Sequence, residues 1–125
     1  MDVVALSTRP GRDCTVVEVS GVLDMATEPQ LRQTLQEVID AGARRVVVDL
    51  AEVELMDSSA LGALVLMFKV LRDDGGDLCL AAPRPLVRTV LAVTTVDRAI
   101  TVHDTVRAAE DDRPAEPARA EPPGQ

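Results

Sequence analysis

The chain has 125 residues, of which 46% are apolar and 1% aromatic, and its formal net charge is −8. This length and apolar content favour one domain with one aliphatic core. The negative charge argues against nucleic acid or an anionic membrane as a partner, and the single ring, Phe68, offers no platform for stacking bases. No apolar run approaches the roughly 20 residues of a membrane span, and no secretory leader is visible, so we expect a cytoplasmic protein.

The first 25 residues predict a β-hairpin and a connection. Residues 2–6 are apolar, and residues 14–20 are rich in β-branched side chains, so each segment is typical of a strand. The Pro-Gly-Arg-Asp sequence at residues 10–13 between them is a turn signal. Residues 21–25 are then expected to connect the hairpin to the next element.

A helix is predicted to begin at Thr27. Thr27 and Gln30 form a capping-box pattern, in which the threonine caps the helix and the glutamine lies three residues later. Gly42 is a plausible helix stop. The apolar residues between them recur at helical spacing and predict a buried face of Leu31, Leu35, Val38 and Ile39.

The most informative segment runs from residue 45 to residue 72. Residues 46–50 form an apolar, β-branched run typical of a strand covered on both faces. Residues 51–56 are predicted to be a connector because they carry Glu52 and Glu54. Residues 57–59, Asp-Ser-Ser, are then expected to open a helix, whose predicted buried face is Leu61, Leu64, Val65, Phe68 and Leu71.

The remainder predicts a helix with a strand on either side of it, followed by a last helix. A short buried strand is expected at residues 78–82 and an edge strand at residues 100–102, with a last helix at residues 105–110. The helix between the strands is expected to bury Leu86, Val87, Val90 and Leu91. From residue 111 onward Pro, Glu and Ala dominate, so we predict a domain at residues 1–110 and a disordered tail at residues 111–125.

The order of elements predicts an α/β fold. Strands and helices alternate after an N-terminal hairpin. Such an order implies a mixed sheet of four to five strands with the helices packed mainly on one face.

The start of the helix at Asp57 is the candidate site that stands out chemically. Aspartate and serine oxygens accept free amide hydrogens of a first turn, and the positive end of the helix dipole suits an anion. The simplest interpretation is an N-cap followed by a spare serine. Two hydroxyls, Ser58 and Ser59, also lie at this point of the chain.

Other candidate chemistry is weak, so we predict a non-enzyme without cofactor or metal. Ser58 lacks a G-x-S-x-G elbow, and the only histidine, His103, lies in the C-terminal segment and is expected at the surface. Cys14 and Cys79 are expected to be buried free thiols, with a disulfide as the alternative. Several carboxylates suggest acid/base or cation chemistry but are more simply solvated: Asp24, Glu52, Glu54 and Asp57.

Three motifs together resemble the STAS domain family, and specifically the stand-alone anti-sigma factor antagonists of bacteria. The motifs are Gly-Val-Leu-Asp at residues 21–24 with Thr27, Val-Val-Val-Asp-Leu at residues 46–50, and Met-Asp-Ser-Ser-Ala-Leu-Gly at residues 56–62. The resemblance covers about residues 2–110. Ala60 departs from it, because many members have glycine at that position.

This resemblance implies a STAS fold and a partner-switching function. The unphosphorylated chain would bind an anti-sigma factor and so release a sigma factor. The anti-sigma factor would usually be a serine kinase with a histidine-kinase-like ATPase fold, phosphorylation at Ser58 would abolish binding, and a PP2C-type phosphatase would restore it.

The resemblance also implies a contact surface. Asp24 matches a family position near the acceptor serine, and its alternative is an aspartate that shapes a turn. The other residues that could border the same surface are Met25, Met56, Asp57, Ser59, Gly62 and Ala63. We expect a monomer, and we expect the phosphate to block an interface without unfolding the domain. Two alternatives are a STAS subunit of a lipid-transport ATP-binding-cassette system and a scaffold of a stress complex.

Overall fold

The structure, a computed structural model, describes residues 4–112. Residues 113–125, which hold most of the predicted tail, lie outside the described residues. The strands are β1 (Val4–Gly11), β2 (Cys14–Leu23), β3 (Arg45–Met56), β4 (Asp77–Ala81) and β5 (Val102–His103). The helices are α1 (Glu28–Asp40), α2 (Ser58–Asp73), α3 (Pro85–Val93), α4 (Val96–Ala99) and α5 (Val106–Asp111).

The five strands form one mixed sheet in the order β1-β2-β3-β4-β5. Strands β1 and β2 are antiparallel, and every later pair is parallel. Each parallel connection crosses through a helical segment, as parallel strands require. The expected α/β fold with a mixed sheet is therefore confirmed.

The two faces of the sheet are covered unequally. Buried residues of α1, α2 and α3 join one face of β2, β3 and β4 in the main core. A second, smaller cluster on the other face brings Val16, Val47 and Cys79 together with Ala109 of α5. Because successive strand residues point to opposite faces, the valine run of β3 supplies both clusters, with Val46 and Val48 in the first and Val47 in the second. Most of the helical mass thus lies on one face, as expected.

Strand β3 is longer than predicted, because residues 51–56 continue it. They pair with the end of β2, up to the register pair Leu23–Met56. Strand β2 also continues to Leu23, through part of the predicted connection. Within this part, Gly21 has a φ of 102° and lies beside a register irregularity in the pairing with β3. The prediction of a connector was wrong because Glu52 and Glu54 are exposed strand residues.

Smaller differences follow from neighbours that a local pattern does not reveal. The hairpin turn is limited to Arg12 and Asp13, because Pro10 is accommodated in the edge strand β1. The side chain of His103 is not at the surface; it is mostly buried on β5 and pairs with Asp112 at 3.2 Å.

The buried face of α2 also differs from the prediction. Val65 and Phe68 are only half-buried, and the α2 residues in the core include Ala60, Ala63 and Met67 instead.

Helix α2 ends in a Schellman motif. Gly75 has a φ of 83°, and its N–H donates to the carbonyl oxygen of Arg72 at 3.1 Å. The N–H of Gly76 donates to the carbonyl oxygen of Leu71 at 2.7 Å. These two bonds satisfy carbonyls at the end of the helix. The C-terminus of α2 is therefore capped by its own loop, without any contribution from the residues at the N-terminus of the helix.

Helix α5 is attached to the sheet through its C-terminal end. The guanidinium of Arg45 donates to the backbone carbonyls of Ala109, Glu110 and Asp112. A cation at this end also complements the helix dipole. The helix thereby covers the second face of the sheet over β3 and β4.

The two cysteines are free thiols, and the alternative of a disulfide between them is excluded. Cys14 lies on β2 and Cys79 on β4, with β3 between them. Two strand spacings amount to about 9.5 Å, which exceeds the Cα separation of about 7 Å that a disulfide allows. Burial raises the pKa of the Cys79 thiol to about 12 and also raises the pKa of the half-buried Cys14.

Both thiols are therefore expected to resist alkylation in the folded protein. With a pKa of about 12, only about 10⁻⁴ of the Cys79 thiol is ionised at pH 8, and the thiolate is the reactive form. Mass spectrometry of the native and the urea-unfolded chain after iodoacetamide treatment would measure this. Labelling of native Cys79 as fast as in the unfolded chain would contradict the burial under α5.

Candidate functional site

The candidate site lies where β2 and β3 end side by side. Leu23 and Met56 are register partners in this parallel pair. The N–H of Asp57 donates to the carbonyl oxygen of Leu23 at 3.0 Å. Asp24 and Ser58 each follow one member of this bonded pair, so the structure brings the two predicted residues to the same edge of the sheet.

Asp57 is the N-cap of α2. It has an extended backbone, and its Oδ1 accepts the N–H groups of Ser59 at 2.9 Å and of Ala60 at 3.2 Å. Ser58 follows as the first helical residue, and it is exposed. The cap is thus made by the aspartate, and the hydroxyl of Ser58 is not used for it.

The Asp57 cap changes what a phosphate on Ser58 would meet. Two of the first-turn amides, those of Ser59 and Ala60, already bind the carboxylate. These two amides are therefore already bonded and are not available to a further anion at this helix start.

Asp24 shapes the loop between β2 and α1. Its Oδ1 accepts the N–H groups of Ala26 at 2.9 Å and of Thr27 at 3.1 Å. This arrangement is an Asx turn, and it confirms the alternative in which Asp24 is a turn residue. A contact between Asp24 and a partner stays a prediction.

Thr27 fixes the same loop from inside. Its hydroxyl donates to the carbonyl oxygen of Val22 at 2.8 Å and accepts the N–H of Asp24 at 3.0 Å, and the residue is 1% exposed. The predicted capping box was wrong, because the hydroxyl is turned toward β2 and makes no bond to the first turn of α1. Met25, at the tip of this loop, is 75% exposed.

The sequence match with a known family covers most of the described chain. Residues 5–109 match the STAS domain family. The chain belongs to this family.

Relatives and solved structures of STAS proteins agree with this assignment. A putative anti-sigma factor antagonist from Thermotoga maritima is 32% identical over 76 residues, which cover 61% of this chain and 67% of that protein. The crystal structure of an anti-sigma factor antagonist from Mycobacterium paratuberculosis has a TM-score of 0.80 and 28% identity, and covers 86% of this chain and 92% of that one. Unphosphorylated SpoIIAA, a Bacillus anti-sigma factor antagonist, has a TM-score of 0.72 and 25% identity over 86% and 94%. The matched segment spans about two thirds of the first curated relatives.

The predicted contact residues of this STAS domain separate into three groups by burial. Met25, Ser58 and Gly62 are exposed, whereas Asp24, Asp57 and Ser59 are half-buried. Met56 and Ala63 are buried in the main core. The expectation that these two side chains border the surface was therefore wrong, since their atoms pack against the sheet.

Two exposed leucines at or near this edge were missed by the sequence reasoning. Leu55 lies in the part of β3 that was taken for a connector, and Leu66 lies on α2 outside its buried stripe. The exposure of Leu66 could have been predicted from the helical spacing, because Leu66 lies outside the buried stripe that contains Leu61, Leu64 and Leu71.

Gly62 has no packing role in the folded domain. A Cβ built on Gly62 meets no atom within 4 Å, and the residue is exposed in the second turn of α2. A glycine inside a helix costs about 1 kcal/mol relative to alanine. The neighbouring Ala63 is buried in the main core, so internal packing accounts for the small residue at 63 but not for Gly62.

Metal, catalytic and membrane chemistry find little support in residues 4–112. Within that range no group of three or more His, Cys, Asp or Glu side chains is arranged to hold a metal ion. His103 is paired with Asp112 on β5, and β5 is separated from β3 by β4, so no Ser58–His103 pair forms. None of the helices in the described part of the chain is long and apolar enough to cross a membrane.

The Thr27→Val substitution is expected to destabilise the domain by about 1–3 kcal/mol, because it leaves a buried amide and carbonyl with fewer partners. Thr27→Ser keeps the hydroxyl and should cost about 1 kcal/mol through lost methyl packing. Urea unfolding of both variants measures the difference. Equal losses would show that the hydroxyl does not hold the loop.

The Gly62→Ala substitution is expected to stabilise the domain by about 0.5–1 kcal/mol, because alanine has the higher helix propensity and the site has room. Gly75→Ala is the control, since a φ of 83° at this position disfavours any side chain, and it should lose about 1 kcal/mol. Thermal unfolding of the three proteins would show the opposite shifts. A loss of stability in Gly62→Ala would reveal a packing role for the glycine.

Proposed function

We propose that this STAS domain is an anti-sigma factor antagonist, whose unphosphorylated form binds an anti-sigma factor and so releases a sigma factor for transcription. Similarity to relatives and solved structures of that name, over most of the described chain, supports this role. The observation that carries it is the position of Ser58. Its exposed hydroxyl opens a rigidly capped helix at the edge where β2 and β3 end.

The partner in this proposal is a serine kinase with a histidine-kinase-like ATPase fold. It would transfer the γ-phosphoryl group of ATP to Oγ of Ser58, which loses its proton, and ADP would leave. A PP2C-type phosphatase would hydrolyse the phosphoserine and restore the binding form. The chain itself serves as a substrate and a binding module in the cytoplasm, without a catalytic role of its own.

Phosphorylation of Ser58 would act by blocking the contact surface. The phosphate adds about −1.5 to −2 charges beside the Asp57 carboxylate. A partner that covers Ser58, Met25 and Gly62 would have to bury this charge next to an exposed methionine and a bare helix turn. Burial of an unpaired charge is strongly unfavourable. The Asp57 cap and the core of α2 are independent of the Ser58 hydroxyl, so the fold would be retained.

The Ser58→Asp substitution is expected to weaken binding of the anti-sigma factor at least tenfold relative to Ser58→Ala, which corresponds to about 1.4 kcal/mol. An affinity pull-down from the native cell, with both variants as baits, would identify the partner by mass spectrometry. Calorimetric titration of the purified partner then gives the two affinities. Thr89→Asp on the exposed side of α3 adds the same charge elsewhere and should bind like the unmodified chain.

Two further measurements make this test decisive. Circular dichroism should show the same fold for Ser58→Asp and Ser58→Ala, because a side chain at this exposed position does not enter the core. Incubation of the purified partner with ATP should place phosphate on Ser58 and not on Ser58→Ala. Equal affinity of one partner for both baits would refute the switch, and an ATP-binding-cassette ATPase or a stress-complex scaffold as that partner would favour the alternatives.

A further inference from the structure

A groove between α1 and α2 lies outside the candidate site. It has a volume of about 530 Å³ and is lined by five residues between positions 29 and 37 of α1, most of them polar, together with Leu66 and Met67 of α2. Leu66 is 47% exposed, whereas Met67 is buried and forms the floor. The groove therefore presents an apolar surface that the described residues leave uncovered.

The groove shares helices α1 and α2 with the candidate site, although its lining does not include Ser58 or Gly62. Helices α1 and α2 follow the carboxyl ends of the neighbouring parallel strands β2 and β3, so both helices begin at the same edge of the sheet. Ser58, Gly62 and Leu66 are spaced by four residues, so they follow one another on one side of α2. This row runs from the phosphorylation site, past the bare turn at Gly62, to the apolar wall of the groove.

The α1 side of the groove is lined by one basic and one acidic residue, Arg32 and Glu37, and two more carboxylates flank it on α1, Glu28 and Asp40. Glu28 is paired with Arg32 at 3.0 Å. Glu37 accepts a hydrogen bond from the amide of Gln33 at 3.2 Å, and Asp40 accepts one from the amide of Gln36 at 2.9 Å. Neither of these two carboxylates forms an ion pair with a cation of the described residues, whereas Arg32 is paired with Glu28. An occupant of the groove would gain from basic residues on the flank that faces α1.

We propose that this groove receives an amphipathic helix of the anti-sigma factor, with Leu66 as its apolar anchor and Gly62 as the point of closest approach. The proposal rests on the proposed function and extends its contact surface beyond the edge of the sheet. The walls consist of side chains from two helices whose backbone groups are bonded internally, so a helix fits here and an added strand does not. The bound helix carries apolar residues toward Leu66 and Met67 and basic residues toward Glu37 and Asp40.

The proposal predicts a specific effect at Leu66. Leu66→Gln should weaken binding of the purified anti-sigma factor, recovered with the Ser58→Ala bait, by at least tenfold. Leu86→Gln is the matched control, because Leu86 is a 54% exposed leucine on α3 and should change the affinity less than twofold. Both positions are exposed, and circular dichroism confirms that both variants fold. Glu37→Gln should also reduce the association rate and its dependence on salt.

Methyl NMR of the full chain locates the contact without a substitution. Titration with the same purified partner should shift the methyl signals of Leu66 and Met67 together with that of Met25, and leave Leu86 and Val93 unchanged. Shifts at Met25 without shifts at Leu66 would overturn the groove proposal while the proposed function stands. Absence of any binding would overturn both. Sedimentation of the free chain gives the last check, since a homodimer that Leu66→Gln dissociates would assign the groove to a second copy.

Discussion

The parallel pairing of β2 with β3 determines the geometry of the whole functional edge. Its last link is the hydrogen bond from the N–H of Asp57 to the carbonyl oxygen of Leu23. This bond joins the residue that caps α2 to the strand that leads into α1. Because the two strands end at the same height, the loop with Met25 and the helix start with Ser58 both follow directly from this bonded pair.

In the proposed switch, structural and signalling tasks are divided between neighbouring residues at this edge. The carboxylates of Asp24 and Asp57 bind backbone amides and hold the loop and the helix start. The hydroxyl of Ser58 has no such structural bond and is exposed, so it can be modified without loss of a cap. A regulatory site of this kind needs a rigid frame and one free nucleophilic group, and adjacent residues supply the two.

The two faces of the sheet are covered by different helices, and the helices that begin at this edge pack on one face only. The main core packs α1, α2 and α3 on one face and so orients the two helices that form the groove. On the other face, the α5 helix is held by Arg45 at the opposite ends of the strands. Ser58 and α5 thus lie at opposite ends of the strands, and α5 covers the second face of the sheet over Cys79.

The sequence by itself determined the α/β class, the strand at residues 46–50 and the start of α2 at Asp57, because periodicity and capping are local signals. It also determined Ser58 as the candidate acceptor, through the resemblance of its motifs. Only the tertiary structure decided that residues 51–56 are a strand and that Met56 is buried. Both depend on β2, which lies some thirty residues earlier in the chain, and a local pattern contains no information on which distant strand covers it.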